Sequence, residues 1–234
     1  MLLRQLFDSE SSTFTYLLAD ETTRRAALID PVLEHVERDL ALLAELGLQL
    51  TLVLDTHVHA DHITSAGMLR QRTGARVVAS RRGAPCADLH VGQGDVVHVG
   101  SLAVHVLETP GHTDDSLSYL CGDALFTGDA LLIRGTGRTD FQNGDPGQLY
   151  DSITRRLFSL PDDTRVYPCH DYAGHAMSTV GEEKRHNPRL AGKSRDEFIT
   201  FMNNRRIAPP RKLDIAVPAN RACGLPPESP HVAG

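Results

Sequence analysis

Four times along this chain an apolar, strand-like run ends and a metal-binding side chain follows at once. His57, His59, Asp61 and His62 follow residues 50–54, in THVHADH. His112, in TPGHT, follows the run that ends near Leu107. Asp129, in FTGDA, follows residues 124–127, and His170, in YPCHD, follows residues 165–167. Ligands at the ends of several strands can converge on one face of a sheet, which is where layered α/β folds place their sites.

The remaining pattern suits such a domain. Residues 13–19 and 25–29 read as strands joined by a polar turn. Asp30-Pro31 reads as a helix start, with Asp30 as N-cap and Pro31 at the first helical position. Leu33, Val36, Leu40, Leu43 and Leu46 then recur at helical spacing as far as Gly47. A second helix is predicted over 62–73, ended by Gly74, and a strand over 76–80. The middle reads as two hairpins: 95–99 with 102–107 around Gly100-Ser101, and 117–120 with 124–127 around Gly122-Asp123. A helix over 148–159 and a strand over 165–168 follow. Residues 179–206 read as helical with a break at Asn187-Pro188, and the proline-rich tail from about residue 209 as irregular. No solenoid-period repeat, low-complexity tract or clear linker divides residues 1–234, so a single α/β domain is expected.

Composition narrows the function. The chain has 234 residues, 41% of them hydrophobic, which is enough for one sizeable core. Its 24 basic and 30 acidic residues give a net charge of -6, and no basic run stands out, which argues against nucleic acid as a partner. No run reaches transmembrane length, and Asp8 and Glu10 interrupt the short apolar start. A soluble, cytoplasmic protein without a membrane segment is expected. Cys86, Cys121, Cys169 and Cys223 form no CxxC pair and suggest no disulfide framework, so reduced thiols are expected.

Isolated histidines (His35, His90, His98, His105, His175, His186 and His231) read as surface or packing residues. The cluster reads otherwise. His-x-His-x-Asp-His packs four donors into one turn, a costly arrangement unless a cation or hydrogen bonds offset it. Imidazole and carboxylate suit zinc, iron or manganese, and without thiolate ligands an open, catalytic site is favoured over a structural one. Counted as donors, His57, His59 and His112 could hold one metal and Asp61, His62 and His170 a second, with Asp129 bridging. Spacing alone therefore favours a two-metal hydrolase. RGTGRTD is no phosphate loop: its glycines do not fit GxGxxG and no Walker lysine follows.

THVHADH, TPGHT, FTGDA and the later histidine, in that order, resemble the metallo-β-lactamase superfamily, which implies a four-layer αββα sandwich with metal at one edge of two sheets. A narrower resemblance is carried by THVHADHITSAG, GDALLIRGTGRTDFQNGD, PCHDYAG, NPRL and APPRKLDIAVPANRACG. These are similar to the persulfide dioxygenases, also called sulfur dioxygenases, over nearly the whole chain. GRTDFQ stands where glyoxalase II enzymes typically have GRFFEG. Cys169 departs from the pattern, where a smaller residue is expected before His-Asp-Tyr, and reads as a buried packing residue. The rhodanese domain fused to some relatives is not expected.

The resemblance implies a chemistry that spacing does not. It points to one Fe(II) per chain, held by His57, His112 and Asp129, the two-histidine, one-carboxylate face of non-haem oxygenases. His59, Asp61, His62, His170 and Asp171 would then support the site, or hold a second metal in the alternative. The implied reaction oxidises glutathione persulfide with O2 to sulfite and glutathione. The alternative is a two-metal hydroxyacylglutathione hydrolase. Glutathione carries two carboxylates, for which arginine forks are natural partners. Arg138 is the first candidate, followed by Tyr172 for the peptide, then Arg189 and Arg134. Asp171 and Asp140 are expected to orient supporting groups. A homodimer would fit the resemblance.

Overall fold

A computed structural model describes residues 1–209 and 212–225. One sheet contains β1 (Leu2–Asp8), β2 (Thr13–Ala19), β3 (Arg25–Ile29), β4 (Gln49–Leu54), β5 (Arg76–Ser80) and β6 (Leu89–Val91), adjacent in that order. The second is built from β7 (Val96–Val99), β8 (Leu102–Glu108), β9 (Leu117–Cys121), β10 (Ala124–Gly128), β13 (Arg165–Pro168) and β14 (Ser178–Thr179). Between β10 and β13 in the chain comes a small separate ribbon of β11 (Leu131–Leu132) and β12 (Gly135–Thr136). The helices are α1 (Val36–Glu45), α2 (Ala66–Thr73), α3 (Pro146–Ser152), α4 (Val180–His186), α5 (Arg195–Asn203) and α6 (Leu213–Arg221).

The layering follows from the period of two along each strand. Leu18, Ile29, Leu54, Val104, Val106 and Phe126 share one core between the sheets. Their neighbours Leu17, Leu28 and Val53 face outward against Leu43 of α1 and Leu69 of α2. On the other side Leu125 and Val166 pack against Leu149 of α3 and Phe198 and Met202 of α5. Helix, sheet, sheet, helix is the expected αββα sandwich. β3, β4 and β5 run parallel and are buried on both faces, which is why they read as nearly continuous apolar runs.

Several expectations are corrected. Asp30 is not a helix N-cap: α1 begins at Val36, after a single tight turn at Leu33–His35, and Asp30 adopts a left-handed φ of 49°. Its carboxylate is spent instead on Thr56 and His59. The second helix starts at Ala66, not residue 62, because residues 62–65 are engaged by other parts of the fold. The helix predicted over 148–159 is α3, capped by the Asp145 side chain, followed by a wider turn at Ile153–Leu157. The first strand, β1, and the short β6, β11, β12 and β14 were missed.

The tail is the largest correction. It is not irregular from residue 209: α6 forms despite an internal Pro218, with Ala216 and Asn220 buried. Tertiary docking overrides propensity here. The tail's remainder, including His231, lies outside the described residues. The thiols are also not all reduced. Cys86 and Cys223 form a disulfide across 137 residues of sequence, with their Cα atoms 5.9 Å apart. No local spacing could signal a pair that meets only when α6 docks. Cys121 and Cys169 are free and buried, as a packing role for Cys169 requires.

Candidate metal centre and substrate pocket

The carboxyl ends of β4, β10 and β13 lie side by side, because β10 and β13 pair in parallel and Leu117 donates its N–H to the Thr56 carbonyl across the sheets. The chain leaves β10 through Gly128, at a φ of 51°. A Cβ there would stand 2.6 Å from Thr56 Oγ1, so only glycine lets the Asp129 turn close on the histidine loop.

Ligand atoms of His57, His112 and Asp129 lie within 4.8 Å of one another. The His57 and His112 rings meet edge to face with centroids 4.9 Å apart, and His112 Nε2 is 3.5 Å from Asp129 Oδ2. The Arg138 carbonyl lies 2.7 Å from His112 Nδ1, fixing that nitrogen as donor and leaving Nε2 free for a metal. Burial, together with His59 and His112 nearby, holds His57 well below its ordinary range, so it is a neutral, ligand-ready imidazole. Oδ1 of Asp129 is buried with no hydrogen-bond partner among the described residues. An unpaired buried carboxylate oxygen is costly unless a cation completes it. The three residues thus fit a metal bound by two histidines and a carboxylate.

His59, its ring centroid 4.2 Å from that of His57, is engaged by another partner. Its Nε2 is 3.1 Å from Asp30 Oδ1. Burial would depress this imidazole, but the Asp30 carboxylate overrides it and lifts His59 to about 9. Ligand atoms of His59, Asp61 and His62 form a second group within 4.8 Å. Nδ1 of His59 and Nε2 of His62 have no partner among the described residues. His170 Nε2 sits between the carboxylates, 3.3 Å from Asp61 and 3.6 Å from Asp129, and its Nδ1 is 3.1 Å from the Ser12 carbonyl.

Some expected supports have other partners. Asp171 does not orient a metal histidine; its carboxylate accepts from the N–H groups of Ala173 and His175 and closes that turn. Asp140 forks the Arg138 guanidinium at 2.7 and 2.8 Å. The supports that sequence reasoning missed are Thr13, Asp30, Asp115, Gln142 and Asn220. Thr13 Oγ1 lies 3.3 Å from Asp61 and from His62. Asp115 accepts from the Val58 N–H at 2.9 Å and Gln142 donates to the Val58 carbonyl at 2.7 Å. Gln142 and the Arg138 carbonyl both come from GRTDFQ, so that motif serves as backbone scaffolding for the metal loop.

Above the metal group opens a cavity of about 480 Å³. His57, His112, Asp129 and His170 are among its lining residues, with Tyr172, Arg138, Arg189 and Arg205. Tyr172 is 76% exposed and stacks on His170 at 5.9 Å. Arg138 is committed to Asp140 and to the carbonyls of Ala208 and Ile207. Arg134 is committed to Glu182 and Glu183. Among the described residues Arg189 hydrogen-bonds only to Thr136 and its own turn, and it has no carboxylate partner. Burial and Arg205 beside it hold Arg189 at about 10, still a cation at neutral pH. Arg205, which the sequence did not single out, stacks on Phe201 and likewise has no carboxylate partner among the described residues.

Residues 9–170 match the model of the metallo-β-lactamase superfamily, and the chain belongs to that superfamily. Hydroxyacylglutathione hydrolase of Rhodopseudomonas palustris is 41% identical over 81% of this chain and 74% of its own. Nearer relatives place the chain, within the superfamily, in the persulfide dioxygenase family. Mouse mitochondrial persulfide dioxygenase ETHE1 is 49% identical over 96% of this chain and 89% of its own length. The crystal structure of ETHE1 from Myxococcus xanthus superposes with a TM-score of 0.96 at 66% identity, covering 96% of this chain and all of that one. No helix among the described residues is long and apolar enough to cross a membrane.

Proposed function

We propose that this chain is a glutathione persulfide dioxygenase working with one Fe(II), held by His57, His112 and Asp129. The observation that carries the reading is the grouping of those three ligand atoms within 4.8 Å, while Asp30 engages Nε2 of His59. Bound ferrous iron would supply the dioxygen chemistry. The overall reaction balances as persulfide, O2 and water giving glutathione, sulfite and two protons. The protein's part is to hold the persulfide's outer sulfur at the open face and its two carboxylates at a distance. Half-buried Arg189, and Arg205 stacked on Phe201, have no carboxylate partner among the described residues and are the better carboxylate partners; Arg138 is a wall residue whose fork is occupied. Tyr172 stands at the mouth as a movable, exposed ring. We place the protein in the cytoplasm.

Oxygen uptake by the ferrous-loaded protein given glutathione persulfide, matched by sulfite, is the expected result. No uptake, with hydrolysis of S-lactoylglutathione by the zinc-loaded protein, would sink the proposal. That second reading has its own support in the unpartnered Nδ1 of His59 and Nε2 of His62. His59→Ala separates the two. It should retain one iron per chain by elemental analysis, and loss of a stoichiometric second metal would mean a two-metal site. Arg189→Ala should raise KM about tenfold, roughly 1.4 kcal/mol, with kcat little changed. An unaltered KM would remove Arg189 from substrate binding.

A further inference from the structure

We propose that Asn220 is the positioning residue for the metal-binding loop, and that the Cys86–Cys223 bridge holds it in place and ties the loop to the protein's thiol–disulfide state. Asn220 is buried near the end of α6. Its Oδ1 accepts from the Thr64 N–H at 2.8 Å. Its Nδ2 donates to the carbonyls of His59 at 2.9 Å and His62 at 2.8 Å. Both donors and the acceptor of one amide are spent on the backbone of residues 59–64, the segment that carries His59, Asp61 and His62. Loss of that amide would leave three backbone groups in need of partners, which a buried loop meets only by moving.

The clamp comes from outside both sheets, so its position depends on what holds α6. Val217 packs against a cluster of Val58, Ala79 and Ala84. The Cys223 carbonyl accepts from the Gly67 N–H at 2.8 Å. A Cβ on Gly67 would stand 2.6 Å from that carbonyl, so the contact is backbone against backbone. The disulfide then joins Cys223, three residues past Asn220, to the segment after β5. Opening it frees the end of the helix that carries the clamp.

Cys223 is 1% exposed and Cys86 is partly exposed, so an attacking thiolate meets the Cys86 sulfur. A low-molecular-weight thiol adds to Cys86, the bridge breaks, and Cys223 leaves as thiolate. A second thiol displaces the first from Cys86. Two thiols are oxidised to one disulfide, and the bridge is reduced to two cysteine thiols. Glutathione, the product of the proposed reaction, is a thiol of this class; only that link rests on the proposed function.

Two readouts test the inference: deuterium uptake by peptides covering residues 57–65 in the metal-free protein, and release of Co(II) to a chelator, followed by visible absorption. Wild type, wild type reduced with a phosphine, Asn220→Asp and Cys86→Ser are compared. Asn220→Asp keeps the shape and the acceptor for Thr64 but sets a carboxylate oxygen against two carbonyls. It should release Co(II) about tenfold faster, with an altered absorption spectrum and faster uptake confined to this loop. Reduced wild type and Cys86→Ser should shift the same way by a smaller factor, and phosphine should add nothing to Cys86→Ser. Wild-type uptake and release in Asn220→Asp, even with a lower thermal midpoint, would overturn the clamp. Unchanged uptake and release in reduced wild type would overturn the redox tie. Were Asn220→Asp not to fold, reduced wild type and Cys86→Ser decide. A wild-type protein that bound no Co(II) would defeat the proposed function, while uptake in the metal-free protein would still decide this inference.

Discussion

Asp129→Ala is expected to give a folded protein that retains almost no metal and turns over at least about a thousandfold more slowly, a loss of roughly 4 kcal/mol in transition-state stabilisation. The carboxylate is the one anion in the His57, His112 and Asp129 group, and its Oδ1 has no hydrogen-bond partner among the described residues. Its removal therefore takes away a ligand without breaking a hydrogen bond at that atom. The metal-free variant should melt within a few degrees of the metal-free wild type. The stabilisation that wild type gains on loading, about 2.7 kcal/mol at a metal concentration a hundredfold above Kd, should vanish. Elemental analysis, a thermal melt with and without metal, and oxygen uptake check this together. A variant that still held one metal per chain would show that Asp129 is not a ligand.

Asp30→Ala should do the reverse and damage the scaffold first. Asp30 is buried and accepts from the Thr56 N–H at 2.7 Å, the Thr56 hydroxyl at 2.9 Å and His59 Nε2 at 3.1 Å. Alanine would strand three donors, one of them a buried imidazolium, at a cost of about 3–5 kcal/mol. That is a large share of the 5–15 kcal/mol by which domains are usually stable. The effect carries a pH signature in the metal-free protein. His59 rises from an ordinary 6.5 to about 9 on folding, so its proton stabilises the fold fully below the unfolded value and progressively less as pH rises through about 9. The gap between wild type and Asp30→Ala in denaturant unfolding should narrow from pH 6.5 to pH 9. A constant gap would mean that His59 is neutral in the fold. Asp30→Asn, which keeps an acceptor for Thr56, should cost less than alanine.

Asp30 also marks where sequence reasoning stopped. Aspartate before proline is a sound helix-start signal, yet the side chain is drawn to a histidine 29 positions away. A short-range rule cannot weigh a partner brought by a neighbouring strand. Asn220 and the Cys86–Cys223 bridge were invisible for the same reason. Arg138 ranked first because it follows Asp129 closely, but Asp140, two residues on, takes its fork. Arg205 had no motif to recommend it and reaches the cavity only through the path of the chain after α5. The hairpins at Gly100 and Gly122, the strand at Arg165–Pro168 and the break after α4 were legible, because turn chemistry and two-residue alternation are local.

By itself the sequence determined most of the longer strands, the helices α1 to α5 to within a few residues, and the seven metal-type side chains gathered at four strand ends. Those are properties of periodicity and residue type, which act over a few positions. How those seven side chains group in space was decided only by tertiary structure. It depends on which imidazole Asp30 claims, which carbonyl turns His112, and how closely Gly128 lets the two sheets approach. Such distances arise when separate strands pack, and no spacing along the chain encodes them.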